Sequence, residues 1–307
     1  MKVFITGGTG FVGRNILGAL RREGHSIRAL VRAGSEARLP YLEGIEVVYG
    51  DVTLPADWSG KLRGIDAVIH LVGIIREFPG QNITFEKIHF EGTGAMVEAA
   101  KQGGVKRFIH MSANGASSDG ASEYQTTKYR AEELVKNSGM EWTIFRPSVI
   151  FGESDGLMEF TSELGGVIAF APVMPVFGDG KYELEPVAIE NVAECFVKAL
   201  SEGAAVNKTF HLGCGSPASY NDVIQTIGKA VGKVRTKTVN VPLGLVEPVA
   251  RIMGRFRFFP VTADQIRMLK GGNVCPEHDF MEVFSIEPKK FIYQNLKYLG
   301  KFKRKKR

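Results

Sequence analysis

Thr6-Gly7-Gly8-Thr9-Gly10-Phe11-Val12-Gly13 stands between two stretches of different period. Before it, Lys2-Val3-Phe4-Ile5 is a short apolar run suited to a strand buried on both faces. After it, Asn15-Ile16-Leu17-Gly18-Ala19-Leu20 carries apolar residues at helical spacing. A glycine-rich turn between strand and helix is the arrangement that binds dinucleotides. Without side chains the backbone can approach a pyrophosphate closely, and the N–H groups of the helix start point at that anion. Gly8, Gly10 and Gly13 meet the G-x-G-x-x-G spacing, and Gly7, Gly10 and Gly13 the wider G-x-x-G-x-x-G spacing. Either pattern alone is weak; the strand and helix around it supply its force.

Ile27-Arg28-Ala29-Leu30-Val31 reads as the second strand and ends at Arg32. An acid in that place would hydrogen-bond the adenosine ribose of NAD. Arg32, with Ser35 and Arg38 behind it, offers a guanidinium that suits a 2′-phosphate bidentately. NADP(H) is therefore favoured. In the other reading Arg32 stacks on adenine or faces solvent, and NAD(H) binds. Val47-Val48-Tyr49, Ala67 to Gly73, Phe108 to Met111 and Trp142 to Phe145 read as further strands. Helices over Phe85–Gln102 and Tyr124–Lys136 come between them. This alternation predicts an α/β fold with a parallel, doubly wound (Rossmann) sheet.

After Gly152 the character changes. Leu157 to Phe177 is rich in Phe, Met, Pro and Gly and reads as a lid or substrate-facing insertion. Ile189–Leu200 resumes helix and Thr209–Leu212 strand, both returning to the sheet. Ser219-Tyr220-Asn221-Asp222 and the capping box Thr262-Ala263-Asp264-Gln265 open two more helices. The domain reading is residues 1–152 plus about 187–213 for the dinucleotide-binding part. Residues 153–186 and 214–300 make a smaller α/β C-terminal substrate domain, and 301–307 a basic tail.

The 307 residues carry 39 Lys and Arg against 33 Asp and Glu. The last seven residues hold six of those bases and no acid, and without them the charges balance. No nucleic-acid surface is therefore expected on the folded body. The tail reads as a solvated end, or else as a contact for an acidic lipid surface or partner at the periphery of the inner membrane. Cys195, Cys214 and Cys275 are odd in number and widely spaced, which fits reduced thiols in the cytoplasm and offers no metal site. A strand from residue 2 leaves no room for a signal peptide. The longest apolar stretch, Val167 to Phe177, is broken by Pro172 and Pro175 and is too short for a membrane span.

Taken together, the glycine turn, Gly50-Asp51-Val52, the Tyr124-x-x-x-Lys128 pair and Arg146-Pro147-Ser148-Val149-Ile150-Phe151-Gly152 resemble the extended short-chain dehydrogenases/reductases, the NAD-dependent epimerase/dehydratase-like group. Pro260-Val261-Thr262-Ala263-Asp264-Gln265-Ile266-Arg267-Met268-Leu269, followed by Gly272-Asn273-Val274, resembles the atypical branch that holds the dehydrogenase-fold accessory subunit of respiratory complex I. The resemblance implies that Gly7, Thr9, Gly10, Phe11, Val12 and Gly13 hold the pyrophosphate and that Asp51 and Val52 flank adenine. Leu71, Val72 and Gly73 would line the cofactor, Lys128 its nicotinamide ribose, and Pro147, Ser148 and Val149 the nicotinamide.

Tyr124 would be the acid/base. A free phenol titrates near 10, and a lysine one helical turn on would supply the cation that lowers it. Tyr293 and Lys297 share the spacing outside any such context. The rest of the constellation departs from the family. Ala113 takes the place of the carbonyl-orienting Ser or Thr, with Ser112 one residue early and so on the opposite face of a strand. His89 replaces the supporting asparagine and reads as a packing residue or as a substitute in a proton relay. His70 and His110, at strand ends, read as structural.

Two functions follow. One is an oxidoreductase or epimerase-like enzyme with an incomplete tetrad (Tyr124, Lys128, Ser112, His89). Its small-molecule substrate would be apolar, quinone or lipid-like, met by the 157–177 stretch with Arg251, Met253, Phe256, Phe258 and Phe259; those residues equally suit packing of the small domain. The alternative is a non-catalytic NADPH-binding module of a respiratory or membrane-associated assembly.

Overall fold

The computed structural model describes residues 1–242, 244 and 263–302. Arg251, Met253, Phe256, Phe258, Phe259, Thr262 and the tail from Lys303 lie outside the described residues.

The opening apolar run forms β1 (Lys2–Thr6), and Val3, Phe4 and Ile5 have no exposed surface, as a strand covered on both faces requires. The chain continues through α1 (Phe11–Arg22), β2 (Ser26–Val31) and β3 (Ile45–Tyr49). It then returns to β4 (Ala67–His70), α2 (Gly92–Gly103), β5 (Arg107–Met111), α3 (Glu123–Lys136) and β6 (Glu141–Pro147). A later strand, β11 (Lys208–Leu212), joins beside β6, with Phe210 opposite Phe145. All seven strands are parallel, in the order β11-β6-β5-β4-β1-β2-β3.

The strand order reverses between β1 and β4. Beyond the carboxyl ends of these two strands, connections leave in opposite directions and open the crevice where open α/β sheets bind ligands. Under the sheet Trp58, Met96, Val97, Phe108, Val135 and Ile144 pack into one core. Arg107 is buried, and its guanidinium donates to the carbonyls of Ala199 and Glu141, tying β5 to the end of α5 (Ile189–Lys198).

The helix expected over Phe85–Gln102 is present but not uniform. Residues Glu86–Glu91 are π-helical and run directly into α2. This wider turn changes which side chains face the sheet, which apolar periodicity could not show.

Two compact units divide the chain. The first holds Met1–Pro147, Glu190–Leu212 and Glu277–Ile286, so a late segment, absent from the domain reading, returns to it. The second holds Ser148–Ile189, Gly213–Pro276 and Glu287–Arg307. In it, α4 (Phe160–Phe170) packs with α6 (Tyr220–Ala230) and the 3-10 turns of Tyr293–Phe302 around Ile168, Met174, Val176, Ile224, Ile227 and Leu296. Ser219 caps α6 as its sequence predicts, accepting from the Asp222 N–H at 3.1 Å. Short strand pairs complete the unit; one joins β8 (Met174–Phe177) in parallel to β13 (Thr238–Val241). The 157–177 stretch read as a lid thus supplies a helix, a strand and core residues to the second unit. The Glu185 carboxylate, fully buried, accepts the backbone N–H groups of Gly215 and Cys275 at 2.7 and 2.9 Å. All three cysteines are buried free thiols. No helix among the described residues is long and apolar enough to cross a membrane.

Candidate cofactor and active site

The glycine turn is tied by its own backbone. Gly7 has φ +75°, a conformation that L side chains rarely adopt, and its carbonyl accepts the Gly10 N–H at 3.0 Å. A Cβ on Gly13 would stand 2.2 Å from that same carbonyl oxygen and 2.6 Å from the Gly8 Cα. A Cβ on Gly7 would meet the Leu71 Cβ at 3.1 Å, so the turn and the segment after β4 lie in close contact. Helix α1 begins here with no side-chain cap on Gly10 and no acid in its first turn. By contrast α3 and α6 are capped by Ser122 and Ser219. An uncapped helix start with unspent N–H groups is an anion site.

Around it, Arg32 follows β2, is exposed and has no ion-pair partner among the described residues. Asp51 turns its carboxylate inward to the Thr53 N–H and hydroxyl at 2.9 and 2.7 Å, which leaves Val52 buried against Gly92.

On the other side of the crevice, α3 carries Tyr124 and Lys128. Lys128 is 2% exposed, and its ammonium donates to the Met111 carbonyl at 3.0 Å. A Cβ on the exposed Gly73 would lie 3.0 Å from the same Nζ. Burial lowers the ammonium to about 8, opposed by the charge of Glu132. An ammonium has three donors, and among the described residues Lys128 spends one.

The expected lowering of the Tyr124 phenol by Lys128 is not found. The half-buried phenol is pushed up to about 12 by burial alone. Neighbouring Cβ atoms on a helix do not bring the ends of long side chains together. The Lys128 stem reaches to Met111, while the Tyr124 ring stands edge-on to His89 and Phe85 at 5.3 and 5.6 Å.

His89 lies in the π-helical turn and is buried. The Thr127 hydroxyl donates to the Glu123 carbonyl at 2.7 Å, so its oxygen accepts from His89 Nδ1 at 3.1 Å. His89 Nε2 then carries the lone pair that accepts the Ile74 N–H at 3.1 Å. The reverse tautomer, with Nε2 donating to the Ile74 carbonyl, would leave the Ile74 N–H without this acceptor. This count assigns a neutral ring protonated at Nδ1. Burial, and next the Lys128 charge, hold it neutral by lowering it to about 2. The ring thereby joins the segment after β4 to the helix of Tyr124 and Lys128. Sequence reasoning missed Thr127 and Met111 as partners, because neither belongs to a recognisable pattern.

The strand-end histidines differ from each other. His70 lies between the hydroxyls of Thr6 and Thr93, at 2.8 and 3.2 Å. His110 stacks on it with ring centroids 5.6 Å apart, and neither of its nitrogens has a hydrogen-bond partner among the described residues. Burial, with the charges around it, holds His110 well below its usual range. The Ser112 hydroxyl is likewise buried without a partner among the described residues, and Ala113 beside it is buried. Pro147 ends β6, its carbonyl accepting the Asn114 N–H at 3.0 Å. Ser148 and Val149 belong to the second unit, where the Ser148 hydroxyl donates to the Asn273 carbonyl at 2.9 Å.

A reversed sheet order, a glycine cradle at the switch point and a buried ammonium with spare donors define a dinucleotide-binding α/β protein. The chain belongs to the NAD(P)H-binding family, whose model matches residues 7–169. Its sequence is 26% identical over 306 residues to the mitochondrial NADH-ubiquinone oxidoreductase 40 kDa subunit of Neurospora crassa, covering 97% of this chain and 79% of that one. It is 28% identical over 262 residues to a 3-beta-hydroxysteroid dehydrogenase of Mycolicibacterium neoaurum, covering 76% and 70%. In fold it is similar to UDP-glucose 4-epimerase of Thermotoga maritima, with TM-score 0.77 over 98% of both chains at 18% identity. The protein is thus of the extended short-chain dehydrogenase/reductase kind and resembles the complex I subunit.

Proposed function

We propose that the first unit binds NADP(H) and reduces a carbonyl substrate, with Tyr124 as proton donor. The observation that carries this is the Lys128 ammonium, 2% exposed with one of its three N–H groups used. A shift from 10.5 to about 8 corresponds to roughly 3 kcal/mol against the charged form. A ribose diol accepting the two spare N–H groups would offset that cost. Arg32, exposed and opposed by no carboxylate in an ion pair among the described residues, supports a 2′-phosphate over a bare ribose. The bound cofactor would supply a hydride.

A phenol at about 12 is protonated at neutral pH, and so it suits donation to a developing alkoxide rather than proton abstraction. At Ala113 no hydroxyl orients the carbonyl; a missing donor of that kind costs about 2.7–4 kcal/mol of transition-state stabilisation, so turnover is slow. Three unpaired thiols support a reducing compartment, the cytoplasm.

The second reading is a module that binds NADPH without turnover, and Ala113 together with the likeness to the complex I subunit favours it. The test is NADPH oxidation across quinones, ketones and nucleotide sugars. Under the first reading Tyr124→Phe abolishes turnover but keeps NADPH binding, Lys128→Ala weakens both, and Ala113→Ser raises the rate. Turnover indifferent to Tyr124→Phe removes its role. Bound NADPH with no turnover in any variant gives the second reading, and failure to bind either nicotinamide cofactor overturns both.

A further inference from the structure

The second unit presents a surface that the cofactor site does not use. Residues 164–177 contain no charged side chain. Within them Val167, Phe170 and Val173 are 49%, 64% and 40% exposed. Alongside runs the turn that follows α6. It is fastened there by the Lys233 ammonium donating to the Ala171 carbonyl at 2.7 Å and by the Met174 N–H donating to the Lys237 carbonyl at 2.8 Å. In this turn Val234 is 98% exposed, between the exposed cations Lys229, Arg235 and Lys237. No acid occurs from Lys229 to Val241, and none of these three cations forms an ion pair among the described residues. Val239, 52% exposed, continues the surface opposite Pro175. The acid of α4 itself, Glu163, is exposed one turn before Val167.

The end of the chain leads to the same place. A Cβ on Gly165 or Gly166 of α4 would meet the Phe302 ring at 3.6 or 3.7 Å. Beyond Phe302 the sequence is Lys303-Arg304-Lys305-Lys306-Arg307. Five further bases thus follow Phe302 in sequence.

We propose that this surface binds the face of an anionic lipid bilayer. Exposed apolar residues are ordinary when scattered singly. Here an uncharged apolar stretch lies beside a turn whose cations have no ion-pair partner among the described residues, the combination an anionic interface rewards through buried apolar area and electrostatic attraction together. Val234, 98% exposed, stands between Lys233 and Arg235 in sequence, whereas the buried centre of a protein interface is depleted of charged residues. A fluid acyl layer accommodates such an insertion, and its charge is spread as the cations are. The proposal is independent of the cofactor reading, because it rests on the second unit alone.

Flotation of the full chain with phosphatidylcholine vesicles, with and without phosphatidylglycerol, tests it. Binding is expected only to the anionic vesicles, and it should fall as salt rises. Each neutralised cation lowers partition about fivefold, so Lys229→Gln, Arg235→Gln and Lys237→Gln together lower it about 100-fold. Val234→Asp lowers it about tenfold or more, and Val234→Leu preserves it. Melting temperature and NADPH affinity of these exposed-site variants should match wild type. Equal binding to both vesicle types, or a triple variant that floats like wild type, overturns the proposal. A concentration-dependent dimer without lipid, broken by Val234→Asp, assigns the surface to a second copy and also overturns it.

Discussion

The glycine turn at 7–13 and the helix of Tyr124 and Lys128 follow β1 and β5, two strands with only β4 between them, but are made differently. The turn is backbone. Its shape follows from missing Cβ atoms, and its ligand groups are N–H dipoles with no pKa to shift. The helix side is made of side chains whose chemistry depends on burial: a lowered ammonium, a raised phenol and a histidine held neutral. The turn is therefore intolerant of added atoms, whereas the helix side is tuned by charge and hydrogen bonding. A binding surface that is rigid on one side and electrostatically poised on the other suits a cofactor held in one place next to chemistry that can be adjusted, or lost.

Gly13→Ala should break this comparison most severely. Its methyl would stand 2.2 Å from the Gly7 oxygen, where only backbone can yield. Overpacking of that kind costs about 3 kcal/mol, with NADPH binding lost. Unchanged affinity by calorimetry would mean that the turn is not the cradle.

Lys128→Met probes the opposite side, where the charge is costly to the fold. The folded-state pKa, about 8, lies below the ordinary 10.5, so below pH 8 the native state bears the full penalty of a buried cation. Between 8 and 10.5 the unfolded chain binds a proton that the folded chain does not, and wild-type stability rises with pH. The methionine variant should gain about 1–3 kcal/mol at neutral pH, after loss of the Met111 hydrogen bond, and the gain should fade towards pH 10.5. NADPH affinity should fall meanwhile. A pH-independent difference in denaturant midpoints would contradict the buried charge.

The two histidines sharpen the contrast further. His70→Leu strands the buried Thr6 and Thr93 hydroxyls and should cost about 1–3 kcal/mol. His110→Leu removes two ring nitrogens that have no partner among the described residues and should be neutral or stabilising by about 1 kcal/mol. Chemical denaturation of both variants measures the difference, and equal losses would show that His110 holds a partner after all. Smallest of all, removing the five consecutive bases 303–307 should leave melting temperature and cofactor affinity unchanged, since a run of like charges with no apolar residue has little to bury.

Some of this was open to reading from residues alone. Local rules act within a few residues, so the strand–glycine turn–helix unit, the alternation that demands a parallel sheet and the Ser219 cap were legible where they stand. Arg32 in place of an acid was legible too, being a matter of which residue follows β2. The Tyr124–Lys128 spacing correctly put two side chains one turn apart on a helix, but it could not tell where their ends would go. Reach and burial decide that: Lys128 finds a carbonyl in β5, Tyr124 packs on His89, and the phenol rises where spacing implied that it would fall. The π turn at Glu86–Glu91, the different fates of His70 and His110 and the return of Glu277–Ile286 to the first unit are likewise tertiary facts. The sequence by itself determined the backbone half of the site, because sterics and dipoles are local. Only the tertiary structure decided the protonation and pairing of the side-chain half, because desolvation depends on everything folded around it.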